Sequence, residues 1–181
     1  MSHDDRQLLI KTHRGHEASA RLLWERHAPR LQAHARAIVK DQASAADIVQ
    51  NVMCRMLELP GWRVREVQDV AAFLAAAVRR EAVNHIRAAR REAVRRVAAT
   101  ELSFRTQPAA TPASDVHAAV DALPRRLREV VVLKHVADLT FDQISAALST
   151  NRNTIASRYR AALEALRCAL GPSSHEGAFH V

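Results

Sequence analysis

The sequence contains few of the residues that build disulfide frameworks, tight turns and β-sheets. Its 181 residues include two cysteines, four glycines, six prolines and 4% aromatic side chains. Alanine, leucine and arginine dominate, and this scarcity of helix breakers and β-formers predicts an all-α fold. Cys54 and Cys168 lie far apart without CxxC spacing. They therefore indicate a reducing compartment rather than a disulfide framework.

Long hydrophobic runs and enzyme signatures are also missing. The longest wholly apolar run, residues 70–78, is too short to span a bilayer, and no signal-peptide pattern precedes the first charged residues. We therefore expect a cytoplasmic protein without membrane insertion. The sequence has no Walker-type loop, HExxH or GxSxG motif, which makes an enzyme the weakest interpretation. Its histidines, including those at 11–16, show no metal-ligand spacing, so neither a metal nor a cofactor is predicted.

Positive charge is concentrated in two segments. The net charge is +8: residues 79–96 carry +5, residues 123–167 carry +4, and the rest of the chain carries −1. A polyanion is the natural partner of such segments. Charge alone leaves open a second interpretation, in which both are solvated basic faces without a partner.

The chain divides at a segment of unusual composition, residues 103–114, which has two prolines and few apolar side chains. Before it we predict helices at 5–13 and 17–39, the latter interrupted near Pro29, which either kinks one helix or starts the next. A third helix begins at Ser44 in a capping box with Asp47, a loop carries Trp62, and a long helix runs from Val70 to the middle nineties. The prediction is two small helical domains, 1–98 and 116–170, with a flexible linker at 99–115 and a tail at 171–181.

The carboxy-terminal segment has the pattern of a helix-turn-helix. Thr140 and Gln143 can form a capping box, residues 149–151 make a tight turn, and Asn151 can cap a second helix. Ile155, Tyr159 and the leucines that follow share the inner stripe of that helix, while polar and basic side chains point outward. In such motifs the second helix lies in the major groove of DNA. An ordinary helical hairpin is the alternative.

At this point the chain resembles a bacterial extracytoplasmic-function sigma factor of the sigma-70 family. Residues 123–167 resemble sigma region 4 from end to end. Successive parts of sigma region 2 are similar to ERHAPRLQAHARAIVKD (25–41), ADIVQNVMCRML (46–57) and AAFLAAAVRREAVNHIRAARR (71–91). The combination, in the family's order, is far more specific than a helix-turn-helix alone.

The resemblance implies a partner for each surface. Region 4 would bind the minus-35 promoter element and dock on the polymerase flap; region 2 would bind the clamp helices of core RNA polymerase and open the minus-10 element. An anti-sigma factor is a further implied partner. By position, the polymerase contacts are Asp47, Gln50 and Asn51. The minus-10 set is Trp62, Arg79, Arg80, Asn84, Arg87 and Arg91, and the minus-35 set is Arg152, Asn153, Ala156, Ser157, Arg158 and Arg160.

The residues of the long helix support this independently of the resemblance. Arg80, Arg87 and Arg91 recur at i, i+7 and i+11, which makes a basic ridge about 16 Å long at ~1.5 Å per residue. Such a ridge can follow a phosphate backbone. Trp62 is the one obvious aromatic candidate for stacking on an unpaired base; a packing role for it is at least as plausible.

Five positions differ from the usual family pattern and bear on promoter specificity and polymerase affinity: Asn51, Arg80, Asn84, Ser149 and Ala156. They motivate one alternative, a sigma-like adaptor or antagonist that binds polymerase without starting transcription. Another is a stand-alone helix-turn-helix regulator. It explains residues 123–167 but leaves the 46–57 stretch and the basic ridge unexplained.

Overall fold

The computed structural model describes residues 2–99 and 115–171, with side chains described over 4–95 and 116–171. These residues form helices joined by short turns, with no strand among them. The helices are α1 (Ser2–His13), α2 (Glu17–Val39), α3 (Gln42–Leu57), α4 (Gly61–Glu66), α5 (Val70–Ala99), α6 (Asp115–Ala122), α7 (Arg125–His135), α8 (Phe141–Leu148) and α9 (Arg152–Leu170). The predicted all-α fold is confirmed. The predicted linker and the tail beyond residue 171 lie outside the described residues, so the domain boundaries remain a prediction.

Helices α1 to α5 form what we call the amino-terminal unit, built around one apolar core. Leu23 of α2, Val49 of α3 and Leu74 of α5 are fully buried in it. Burying each such side chain contributes about 1.5–3 kcal/mol relative to leaving it in water. The large apolar side chains of α3 are buried in this core except at the end of the helix, where Leu57 is exposed.

Three local expectations for this unit are wrong. No new helix starts at Pro29, because α2 continues through it; burial of Leu23 and Leu31 on either side holds the helix together against the cost of the proline, about 3 kcal/mol. α3 starts before Ser44, because the Asp41 carboxylate accepts the Ser44 N–H at 2.7 Å. Trp62 lies on the short helix α4 rather than in a loop.

Helices α6 to α9 form the carboxy-terminal unit. Leu133, Ile144 and Ile155 are fully buried where α7, α8 and α9 meet. A second small cluster joins α6, α7 and α9 through Leu123 and Ala162. The core of this unit therefore fixes the position of α9, the helix predicted to read DNA.

The two units are packed against each other. α7 lies on α2, and α8 lies on the first half of α5. Ala75 of α5 is buried in the same apolar cluster as Val130 and Ile144 of the carboxy-terminal unit. Its small side chain allows α8 to approach the α5 backbone closely.

Candidate nucleic-acid interface

Helix α9 has an apolar rear and a polar, basic front. Asn151 caps it, its side chain accepting the Asn153 N–H at 2.8 Å. Ile155 is fully buried at the rear, whereas Asn153 and Arg160 are exposed at the front. The burial pattern predicted for this helix is thus confirmed, including Ser157 on the exposed face and Ala156 and Arg158 at its flanks.

The turn before α9 is held by local hydrogen bonds. Ser149 adopts a left-handed conformation with φ 47° and ψ 49°. The Ser145 hydroxyl donates to the Thr150 carbonyl at 2.6 Å. On α8 the predicted capping box of Thr140 and Gln143 is confirmed. These contacts set the angle between α8 and α9, so that the front of α9 projects from the unit.

Aromatic contacts brace α9 from behind. Tyr159 stacks on His135 of α7, and its hydroxyl lies 2.8 Å from His135 Nε2. The Tyr159 ring also meets Phe141 edge-on. At the front, Arg152 forms an ion pair of 2.9 Å with Asp142 of α8. Both partners are well exposed, so the pair is weak and leaves Arg152 available to phosphate.

The second half of α5 carries the predicted basic ridge in the open. Arg80, Arg87 and Arg91 are exposed along one side of the helix, with Asn84 between them. Arg79 is different. It is half-buried on another face of α5, where its Nε lies 3.3 Å from the Glu129 carboxylate of α7. The structure therefore separates Arg79 from the other predicted minus-10 residues.

Two predicted sets of residues meet in one groove between α3 and α5. The cavity there measures about 650 Å³. Asp47 and Asn51 line its α3 wall, and Asn84, Arg87 and Arg91 line its α5 wall. Gln50 is exposed on α3 but does not line the groove. The predicted polymerase and minus-10 surfaces are therefore contiguous.

Trp62 lies outside the core. Its exposed fraction is 61%, which argues against a packing role. The neighbouring Arg63 guanidinium is 5.5 Å from the indole ring centre. Arg63 and Arg80 border a second cavity of about 410 Å³ between α3, α4 and α5. An exposed indole beside arginines suits a single-stranded nucleic acid.

Two family models match successive parts of the chain. Sigma-70 region 2 matches residues 23–92, and Sigma-70 region 4 matches residues 113–166. The chain belongs to the sigma-70 family. Its two-region composition is that of the extracytoplasmic-function group, and its function is that of an RNA polymerase sigma factor. Region 2 covers most of the amino-terminal unit, and region 4 covers the carboxy-terminal unit.

Individual relatives agree with the family models. RNA polymerase sigma factor SigV of Bacillus subtilis (strain 168) is 26% identical over 132 residues, which is 73% of this chain and 79% of the relative. The fold resembles that of CnrH in complex with the cytosolic domain of CnrY, with a TM-score of 0.65 and 20% identity over 92% of this chain and 96% of the other. It also resembles the sigma factor RpoE in complex with the anti-sigma factor NepR from Bartonella quintana, with a TM-score of 0.59 and 21% identity over 78% of this chain and 90% of the other.

Two other kinds of feature are absent from the described part of the sigma factor. No helix there is long and apolar enough to cross a membrane. No group of three or more histidine, cysteine or acidic side chains is arranged to hold a metal ion.

Sequence reasoning missed the polar contacts between the two regions. Arg128 and Glu129 of α7 are each only 3% exposed, although charged residues in a helix ordinarily face solvent. No spacing in the sequence distinguishes them from the exposed Arg125 and Arg126 beside them. The one feature of the sequence that could have indicated a contact between the regions is the fully apolar run at 70–78 in α5. A helix that is apolar on all sides is buried on more than one side.

Proposed function

We propose that this sigma factor starts transcription by placing α9 in the minus-35 element and the α5 ridge on the minus-10 element while core RNA polymerase holds both regions. The single observation that carries the proposal is the pair of exposed basic faces, one on α9 in front of the buried Ile155 and one on the second half of α5. Arginine and asparagine at the front of α9 match the donor and acceptor pattern of base edges in the major groove.

In region 2 the proposal gives separate roles to α3 and α5, which form the two walls of the groove. Asp47, Gln50 and Asn51 of α3 contact the clamp helices of the polymerase. Arg80, Asn84, Arg87 and Arg91 of α5 follow the DNA backbone, and Trp62 stacks on an unpaired minus-10 base. The exposed indole and the adjoining cavity at Arg63 and Arg80 support the last assignment.

In region 4 the front of α9 divides into two kinds of contact. Asn153, Ser157 and Arg160 face the bases, whereas Arg152 and Arg158 reach phosphates and Ala156 touches an apolar base edge. This division follows their exposure around the helix and the general rule that phosphate contacts position while base contacts specify. The sigma factor contributes binding only and catalyses no step itself.

Regulation of the sigma factor is part of the proposal. CnrH and RpoE, which share the fold, were each solved in complex with a second protein, and in the case of RpoE that protein is an anti-sigma factor. We infer a cytoplasmic anti-sigma partner for this chain as well.

Reconstitution with core polymerase tests the function. The purified chain, mixed with core enzyme and genomic DNA fragments, should yield transcripts whose start sites share sequence elements upstream, and the chain alone should bind duplex poorly. Failure to associate with core enzyme at any salt concentration would contradict the proposal. Tight sequence-specific binding by the isolated chain would indicate a stand-alone regulator, and competition with another sigma factor without transcripts would indicate an antagonist.

A further inference from the structure

Helix α4, which carries Trp62, is too short to hold its place by itself. It spans six residues, Gly61–Glu66, and no side chain caps its first turn. Isolated helices shorter than about 12–15 residues are marginal in water, so α4 depends on what packs against it. Within α4 only Val64 is buried, in the apolar core of region 2. One buried side chain fixes the depth of a helix but not its orientation, and other contacts must supply that.

Helix α1 makes such contacts at both ends of α4. A terminal nitrogen of Arg6 donates to the Arg65 carbonyl at 3.0 Å. That carbonyl lies in the last turn of α4, where carbonyls have no partner within the helix, so Arg6 caps α4. At the other end the ring of His13 covers Gly61, and a Cβ at that position would lie 3.2 Å from His13 Nε2. The absence of a side chain at Gly61 therefore lets α1 approach the start of α4.

Helix α1 is itself anchored to the rest of region 2. Leu8 and Leu9 are buried in its apolar core. Asp4 and Asp5 both pair with Arg26 of α2, and Asp5 is almost completely buried. These contacts form a continuous path from α2 through α1 to α4. A change in the seating of α1 is therefore transmitted to α4.

The orientation of α4 decides where its exposed side chains lie. Trp62 stands on it in the open, and Arg63 and Glu66 border the cavity that α4 shares with α3 and α5. A binding group that is already held in position loses less conformational entropy when its ligand arrives, and so binds more tightly. A fixed α4 therefore favours binding of an unpaired strand at Trp62.

We propose that α1 is a positioning element for the minus-10 strand: Arg6, by capping α4, fixes Trp62 and the rim of the adjoining cavity before DNA arrives. This proposal rests on the proposed function, in which Trp62 stacks on an unpaired base. Arg6 itself touches no base and acts through α4, so it is a positioning residue. The region 2 family model starts at residue 23 and gives α1 no role of its own.

Hydrogen exchange in the free chain tests whether Arg6 fixes α4. The amides of Arg63, Val64 and Val67 donate within α4 or at its end, so their exchange rates report its opening. Arg6→Met keeps an unbranched stem, removes every donor, and should speed their exchange about three- to tenfold, as expected for one lost hydrogen bond. Arg6→Lys retains a donor and should restore most of the protection. Lys11→Met, at an exposed position of α1, is the matched control and should change nothing.

A second variant covers the case in which Arg6→Met does not fold, which circular dichroism at 222 nm would reveal. His13 is exposed, so His13→Ala leaves the core intact while it frees the start of α4. The same amides should again exchange faster than in the unmodified chain. Unchanged exchange in whichever of the two variants folds would overturn the hold of α1 on α4.

The affinity of the holoenzyme for single-stranded DNA tests the consequence. The probe is the non-template strand of a minus-10 element taken from the start sites that reconstitution maps. Arg6→Met should weaken its binding about three- to tenfold and leave binding of the minus-35 duplex unchanged. In a Trp62→Ala chain Arg6→Met should have little further effect, because residues that act as a unit are not additive. Equal losses on both DNA probes, or a full effect of Arg6→Met beside Trp62→Ala, would overturn the positioning role.

The two measurements separate this proposal from the proposed function. A holoenzyme that does not bind the minus-10 strand at all contradicts the proposed function, and the role of Arg6 in DNA binding fails with it. Exchange in the free chain then still decides whether Arg6 fixes α4. A holoenzyme that binds the strand equally well with and without Arg6 overturns the positioning role alone.

Discussion

At the scale of the residue, environment distinguishes side chains that look alike in the sequence. Arg79 and Arg80 are neighbours on α5, yet Arg79 faces Glu129 whereas Arg80 is exposed beside a cavity. Likewise Arg128 is buried between two helix ends while Arg126, two residues earlier, is in solvent. Residue type and spacing sufficed to identify a basic helix. Which arginine is available to DNA depends on what packs against each face of that helix.

Replacement of Arg160 by alanine should weaken recognition of the minus-35 element in a base-dependent way. Arg160 is exposed at the front of α9, and a bidentate contact to a base edge is worth about 1–3 kcal/mol of discrimination. The measurement is the promoter selectivity of the holoenzyme on a library randomised at the minus-35 position. Arg167→Ala, later on the same helix, is the control. An identical selectivity profile for both variants would remove Arg160 from the base-reading residues.

His27 makes stability depend on pH near neutrality. It is buried in α2, with Nε2 3.2 Å from the Asp5 carboxylate of α1. Burial lowers its pKa below the 6.5 of an unfolded histidine and outweighs the opposing charge of Asp5. The unfolded state therefore binds the proton first as the pH falls. We expect the stabilisation to be complete above pH 6.5 and to decrease as the pH falls from there toward the lower pKa of the folded state.

Urea denaturation at a series of pH values measures this effect. His27→Gln should show a weaker decrease of the free energy of unfolding below pH 6.5 than the unmodified chain. His85→Gln, on an exposed position of α5, should keep the full decrease. Parallel curves for all three proteins would show that His27 does not contribute.

At the scale of the element, α5 is one helix whose parts lie in three different environments. Val70, Leu74 and Val78 enter the core of region 2. Ala71, Ala75 and Ala76 lie on another face and meet region 4, and Arg79 continues that face one turn further on. In the second half of the helix the arginine ridge is exposed to solvent. The sequence shows that the first half is apolar, and only the tertiary structure shows that two separate cores share it.

The turn between α8 and α9 is strained by its residue type. Ser149 has φ 47° and ψ 49°, a conformation in which an L side chain costs about 1–2 kcal/mol and glycine almost nothing. Ser149→Gly should therefore raise the free energy of unfolding, by about 0.5–1 kcal/mol after the extra freedom of glycine in the unfolded chain is counted.

The same substitution on the exposed face of α9 provides the control for this prediction. Ser157→Gly should lower the free energy of unfolding by about 0.5 kcal/mol, because glycine is unfavourable within a helix. Chemical denaturation measures both changes. Equal signs for the two variants would contradict the argument from backbone conformation.

At the scale of the whole molecule, charge sets the strength of DNA binding and its dependence on salt. Arg87 is exposed on the ridge and lines the groove between α3 and α5. Arg87→Ala should weaken binding of the holoenzyme to all promoters alike and reduce the slope of log K against log salt by about 0.7–0.9, since one phosphate contact fewer releases fewer counterions. Arg21→Ala, exposed on α2, removes the same charge away from the ridge. An unchanged slope for Arg87→Ala would count against a phosphate contact.

The sequence by itself determined the all-α fold, the caps at Thr140 and Asn151, the outward face of α9 and the existence of two basic segments. These features depend on hydrophobic periodicity and on side-chain contacts within a few residues, so neighbouring residues in the sequence are enough to predict them. Its resemblance to the sigma-70 family came from motif order and was confirmed by the family models.

Only the tertiary structure decided the course of α2 through Pro29, the burial of Arg128 and Glu129, and the docking of one region on the other. Packing on both sides of the proline outweighs its local cost. A buried charge is tolerated where distant residues supply its partners, and those of Glu129 lie at His34 and Arg79, far away in the chain. Contacts between residues so widely separated leave no periodic trace in a single sequence, and for that reason the fold was needed to find them.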